Sequence, residues 1–251
     1  MLHITGTLIN AGTVLAGTVT GTLLGERLPD RIRETVMDAL GLVVLLVGLG
    51  EGFEAFRPPL TTLVKGTASG GLPILIVLGS VLVGGILGEL IGIDRGLTAA
   101  GDALKRRFAS GQARFTEGFV IASLVFCVGP LTVLGSIRDG LSGDYSLLAI
   151  KAMLDGFAAL AFSSALGWGV GFSVVTILLY QGGLSVLAST AAAAIPDPAA
   201  SPAIAAVTAT GGVLILAIGL RLLRVREIRV ANLLPALALA PLAVLVVERL
   251  R

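Results

Sequence analysis

The chain has 251 residues, of which 55% are apolar and only 14% charged, with a formal net charge of +2 and a mean hydropathy of +0.97; an ordinary soluble domain carries about 25% charged residues. This composition belongs to an integral membrane protein and leaves no stretch for a separate soluble domain. The basic residues stand in short clusters between apolar runs, which excludes nucleic acid as a partner, and continuous runs such as LPILIVLGSVLVGGILG (Leu72 to Gly88) exclude a transmembrane β-barrel, whose strands alternate polar and apolar positions.

A membrane-crossing helix needs about 20 mostly apolar residues, and windows of that kind predict eight spans. They run near Ile4 to Leu24, Leu40 to Phe56, Leu72 to Ile93, Phe115 to Ile137, Leu147 to Gly167, Val170 to Thr190, Ala203 to Leu220 and Ala231 to Val247. The expected fold is therefore all-α, one polytopic transmembrane helix bundle over residues 1–251 with seven or eight spans. Before the first span only His3 carries a polar ring and no Lys or Arg builds a basic leader, so that span is expected to be retained. The second span admits Glu51 and Glu54 and begins inside the preceding amphipathic stretch. The last contains Pro235 and Pro241, tolerated where neighbouring helices satisfy the freed carbonyls.

Short-loop basic residues set the orientation. With the N-terminus outside, the inner segments hold Arg27, Arg31, Arg33, Arg95, Lys105, Arg106, Arg107, Arg114, Arg221, Arg224, Arg226 and Arg229, against Arg57, Lys65, Arg138, Arg249 and Arg251 outside. Twelve against five makes both termini outside the expectation. Two inner segments, ERLPDRIRETVMDALG and DRGLTAAGDALKRRF, read as amphipathic helices on the membrane surface, serving either as connectors or as a gate or lipid contact.

Two internal echoes organise the chain into residues 1–115, a pair of glycine-ladder units, and 116–251, a central motif with the C-terminal spans. Gly17, Gly21 and Gly25 close the first span, and Gly84, Gly88 and Gly92 close the third, so each carries a groove that admits another backbone, either from the same chain or from a second copy in a homodimer. Glu117-Gly118-Phe119 followed by Gly129 matches Asp155-Gly156-Phe157 followed by Gly167 in the next, oppositely directed span, the pattern of an inverted repeat.

The polar residues inside the spans carry the functional expectation, because an ionisable group near mid-membrane costs several kcal/mol and faces a partner or a wet cavity. Asp155 lies about 12 Å into its helix at 1.5 Å per residue, and Lys151 stands one turn earlier on the same face. The pair is either a self-neutralised structural ion pair or the heart of a site with Gln181, Asn10, Ser163 and Ser164, whose oxygens suit a small cation or a small polar solute. Glu117 joins these as a supporting acid, although Arg114 three residues before it also lets it reach the interface. Asp139 and Asp144 stand among glycines in GSIRDGLSGDYS, either in a tight turn or in an outer vestibule. One His and one Cys leave no zinc site, no phosphate-binding Gly-x-x-x-x-Gly-Lys-Ser/Thr loop supports an ATP-driven pump, and no nucleophile elbow suggests an enzyme. No cofactor is expected, and the partners are membrane lipid and the ion or solute itself.

The motif from Glu117 to Gly167, with LLYQGG after it and GTLINAGTVLAGTVTGTLLGERLP at the start, resembles the YqgA/YdfK-like family of prokaryotic membrane proteins, domain of unknown function 554. That resemblance covers Gly6 to about Leu242 and implies a polytopic inner-membrane protein assigned to transport without an established substrate. It places family motif positions at Asn10, Glu117, Asp139, Lys151, Asp155 and Gln181, with Pro130 a departure that would kink the fourth span. A weaker similarity, through Asp155-Gly-Phe-Ala, Gln181 and Gly211-Gly212, is to half of the manganese-exporter branch of the lysine-exporter superfamily. Together these favour a secondary transporter or exporter of a small ion or polar solute, with a non-transporting scaffold or partner subunit as the alternative.

Overall fold

The computed structural model describes residues 3–25, 29–61, 71–109, 111–128, 130–190 and 201–250. Among them the regular structure is helical throughout, and seven helices are long and apolar enough to cross a membrane, or eight if one bent pair counts as a single span. The expected all-α polytopic bundle is thus what the chain forms. In order, the helices are α1 (Thr5–Gly25), α2 (Asp30–Gly52), α3 (Leu72–Ile91), α4 (Ile93–Phe108), α5 (Phe115–Cys127), α6 (Pro130–Ser142), α7 (Ser146–Leu166), α8 (Gly169–Phe172), α9 (Val174–Thr190), α10 (Pro202–Leu222) and α11 (Pro235–Arg249), with 3₁₀ turns at Phe53–Phe56 and Val230–Leu233.

The kink expected at Pro130 is found as a full break, and the second span begins, as expected, inside the first amphipathic segment. The fourth span is broken: α5 stops at Cys127, Val128 is extended at φ −89° and ψ 126°, and α6 restarts at Pro130, the two axes bent by 62°. Proline has no N–H to continue the ladder and clashes with the carbonyl four residues back, yet its fixed φ suits a first helical position. The first amphipathic segment is not a separate surface helix, because α2 continues from Asp30 to Gly52 with no proline in that stretch to interrupt it. The second one is separate: Gly92 takes the left-handed conformation at φ 77°, ending α3 as a residue with a Cβ rarely would, and α4 follows with Arg106, Arg107 and Phe108 exposed at its end.

The helices pack into two interleaved compact units, Met1–Leu42 with Gly96–Ala194, and Val43–Arg95 with Ile195–Arg251. In the first unit α1 lies against α7 so closely that a methyl group added at Gly17, Gly21 or Gly25 would overlap the backbone of Gly156, Leu160 or Ser164. In lipid there is little hydrophobic drive between helices, so such backbone approach, with its dispersion and hydrogen bonding, is what holds them. Phe115 and Phe172 pack with ring centroids 5.1 Å apart, Phe126 meets Phe162 edge-on at 6.3 Å, and Gly169 lets α8 touch the Phe115 carbonyl. Many large apolar side chains point outward instead, among them Leu8, Leu15, Met153, Leu154 and Phe157, as a lipid-facing surface requires.

The second unit repeats the device. Gly84 and Gly88 of α3 face the backbone of Ala236 and Asn232, while Gly48 of α2 and Gly212 of α10 sit against each other's helices. Leu60, Ile76, Val77, Ala206, Ala209, Ala240 and Val244 form its apolar core. The grooves of both ladders are therefore filled from within the chain, and a homodimer would have to use another face. At one end of this unit Asn232 Nδ2 donates to Glu89 Oε2 at 2.6 Å, its Oδ1 accepts from the Asp94 amide at 2.7 Å, and Arg229 pairs with Glu89 at 3.0 Å. Asn232→Leu removes both amide bonds and leaves the Asp94 N–H at the head of α4 without that acceptor, so it is expected to cost about 2 kcal/mol, read as a lower midpoint of thermal unfolding in detergent micelles.

Candidate functional site

The first unit assembles a polar cluster deep within its spans. Thr7 and Asn10 stand three residues apart on the buried face of α1, Lys151 and Asp155 four apart on α7, and Gln181 comes from α9; all five are buried. Lys151 Nζ donates to Asp155 Oδ2, and Asn10 Nδ2 donates to the same oxygen at 2.9 Å. The second proton of that amide goes to Gln181 Oε1 at 3.0 Å, and Gln181 Nε2 completes the chain at Thr7 Oγ1, 3.2 Å away. The side chains of Lys151 and Asp155 are 7% and 11% exposed, so a carboxylate whose burial alone would cost several kcal/mol is held by one ammonium and one amide. Among the described residues Asn10 Oδ1 has no hydrogen-bond partner, which leaves a buried acceptor beside the ion pair.

The glycine ladder builds this site. Thr13 packs on Gly156, the residue after Asp155, and the close approach of α1 and α7 brings an amide on one helix within reach of a carboxylate on the other. Of the sequence-derived candidates, Asn10, Lys151, Asp155 and Gln181 come together. Ser163 and Ser164 do not join them: they lie two turns farther along α7, about 12 Å at 1.5 Å per residue. Ser163 Oγ donates to the Leu160 carbonyl at 3.2 Å and Ser164 Oγ to the Ala161 carbonyl at 2.8 Å.

Glu117 also stands apart, in the first turn of α5, where its Oε2 accepts from Arg114 Nε at 3.0 Å. That position is unlike the mid-helix place of Asp155, so the two acids of the sequence echo occupy different surroundings, and Gly129 of the echo lies outside the described residues. Asp139 is not in a turn but inside α6 and fully buried, where Oδ2 accepts from the Gly6 amide at 3.1 Å; it caps the N-terminus of α1. Asp144 does lie in the connector, and accepts from both the Ser146 amide at 3.1 Å and its hydroxyl at 2.6 Å. These two bonds to the start of α7 hold its carboxyl below the usual range.

Thr7 is the member that residue type alone did not single out. Its signal was positional, one turn before Asn10 on the same face. Among the described residues no three of His, Cys, Asp and Glu gather in a way that would hold a metal ion.

The same chain, compared with known proteins, matches the family model "Protein of unknown function (DUF554)" over residues 5–245. The chain belongs to this family. It is 32% identical to "Uncharacterized protein YqgA" of Escherichia coli (strain K12) over 241 residues, 94% of each chain. It is 27% identical to "Uncharacterized membrane protein YdfK" of Bacillus subtilis (strain 168) over 243 residues, covering 97% of this chain and 96% of that one. No solved structure matches. For this DUF554 member, then, the resemblance read from the Glu117–Gly167 motif extends over nearly the whole chain, and the Bacillus subtilis relative is named a membrane protein.

Proposed function

We propose that the protein is a secondary transporter or exporter of a small ion or small polar solute, resident in a bacterial inner membrane with its N-terminus outside, and that Asp155 is the group on which the solute or a coupling proton is exchanged. The observation that carries this reading is the five-residue polar cluster drawn from three helices at mid-span, in which the counter-ion of Asp155 is the tethered ammonium of Lys151. In the closed state Lys151 occupies the carboxylate. When a cation arrives at Asp155, Lys151 gives up its proton and stays beside it as a neutral amine, and the open acceptor of Asn10 offers the newcomer a second oxygen. Such exchange of one bound cation for one proton leaves the buried charge unchanged, which a cation added beside a charged ammonium would not. No cofactor enters the cycle. The basic-residue balance behind the orientation includes Arg27, Lys65 and Arg251, which lie outside the described residues.

In proteoliposomes, Asp155→Asn is expected to lower flux at least tenfold while the purified protein still elutes as a single species. Parent-like flux in that variant would remove Asp155 from the mechanism. A second reading, a non-transporting scaffold or partner subunit, is favoured by the near-complete enclosure of the pair, since a contact that only fixes helix register has no need of water.

A further inference from the structure

The threonines of α1 separate into two kinds. Thr13 and Thr20 hydrogen-bond back to the carbonyls of Asn10 and Ala16, at 3.0 and 2.9 Å, which is how a hydroxyl in a helix ordinarily satisfies itself where water is scarce. Thr18 and Thr22 are buried, 0% and 5% exposed, yet among the described residues their hydroxyls bond neither to a backbone carbonyl nor to anything else. Both sit on the same side of α1 as Asn10 and Thr7, about 12 and 18 Å along the axis from Asn10 at 1.5 Å per residue. A buried hydroxyl left without a partner costs about 1–3 kcal/mol, and the usual remedy is ordered water.

Space for such water lies beside one of them. A cavity of about 270 Å³, partly open to the outside, is lined by Thr22 and Gly25 of α1, by Gln112 and Arg114, and by Ser163 to Gly167 at the end of α7. Thr22, Ser163 and Ser164 stand around it beside the last turn of α7, the negative end of that helix dipole, with the Thr22 hydroxyl itself covered. The one cationic group among these lining residues, Arg114, pairs with Glu117 at 3.0 Å and donates to the Ala165 carbonyl at 3.5 Å. Farther in, Gly171 of α8 faces Thr18 with no side chain. Beyond Thr18, Val14 is fully buried and the Gly17–Gly156 contact closes the way to Asp155.

We propose that this cavity is a water-filled vestibule for a small hydrated cation, and that Thr22 and then Thr18 line the route from it toward Asp155, shut in this conformation at Val14 and the Gly17–Gly156 contact. The inference rests on the transport reading above and adds the end of the bundle at which the species enters, the one that holds Gln112 and Arg114, and the charge of the species. Oxygen ligands alone, without thiol or imidazole, suit a hard cation, and the site at the end of the route already holds a cation in the form of the Lys151 ammonium.

Thr22→Cys, Thr18→Cys and Thr20→Cys, each close in volume to the parent, test it. The thiolate, which forms only where water reaches, attacks the sulfenyl sulfur of a methanethiosulfonate reagent and expels methanesulfinate. In reconstituted vesicles treated from either side, the T22C thiol is expected to react with a cationic reagent at least tenfold faster than the T20C thiol, which faces the exterior of the bundle, with T18C between them. Cys127 is buried, and the unsubstituted chain supplies its background. With rates normalised to free cysteine, T22C is expected to prefer the cationic reagent over an anionic one. T22C and T18C reacting no faster than T20C would overturn the vestibule, and preference for the anionic reagent would overturn the cation. Fast labelling at T22C together with flux indifferent to D155N would sink the transport reading alone, whereas D155-dependent flux with both thiols unreactive would sink the route alone.

Discussion

Replacing Lys151 by Met or Asp155 by Leu is expected to destabilise the protein by about 3–5 kcal/mol in each case, while the double replacement lies within about 1 kcal/mol of the parent. Either single change strands a charge in a place where the rest of the cluster offers only neutral dipoles. With Lys151 gone, Asp155 Oδ2 keeps one amide proton, from Asn10; with Asp155 gone, the ammonium loses its only hydrogen-bond acceptor in the cluster. Removing both strands no charge: Asn10 keeps its bond to Gln181 and loses the one to Asp155, a net cost of about 1 kcal/mol. Unfolding titrations in mixed detergent micelles supply the four corners of the cycle. Simple addition of the two losses in the double variant would mean that the residues do not act as a pair. The same double variant separates the two functional readings: a scaffold regains its stability and its partners, whereas a transporter regains stability and stays inactive.

Much of this cluster was legible in the residues. Lys151 and Asp155 at i and i+4 in an apolar helix have few alternatives to each other, and Asn10 and Gln181 were found because an amide at that depth needs a partner. Depth alone, however, says nothing of which helix faces which. Ser163 and Ser164 share α7 with Asp155 but sit about two turns away and satisfy themselves on their own backbone, as hydroxyls can and amides cannot. Glu117 carried the same Gly-Phe neighbours as Asp155, yet its nearest charge in sequence, Arg114, decided its place. Asp139 looked like a turn residue because glycines flank it. The helix dipole of α1, which it caps through Gly6, lies 133 residues away in sequence and leaves no local trace.

The fold was legible to the extent that it follows from hydropathy. Eight apolar windows correspond to seven helices and one bent pair, and the bend falls at the one proline inside the fourth window. What hydropathy does not carry is partnership. The two compact units exchange segments near residues 42 and 95, so neither can be read as a continuous stretch. The glycine ladders were visible as patterns, and the choice between a second copy and the same chain was not, because a groove of this kind specifies closeness and not the identity of the helix that fills it.

That closeness yields the other large effect. Gly21→Val is expected to remove the folded first unit, seen as loss of a single eluting species and of cooperative unfolding, with a cost of at least about 3 kcal/mol, the upper range for overpacking. Its added carbons would enter the space of the Leu160 carbonyl and the Ser163 hydroxyl, and a carbonyl inside α7 cannot turn aside without breaking its own helix bond. Gly12→Ala is the matched control. Apart from its own helix backbone and chain neighbours, no atom of the described residues lies within 4 Å of the position its Cβ would take, so it is expected to be neutral or to stabilise by up to about 1 kcal/mol through helix propensity. Gly88→Ala carries the comparison to the second unit, where the Asn232 carbonyl blocks the new methyl and the Glu89–Asn232 bond would be displaced with it. Were G21V to fold as the parent does, α1 would be held on α7 by its polar cluster and not by the ladder, and the cycle at Lys151 and Asp155 would then have to show a larger loss than the one given above.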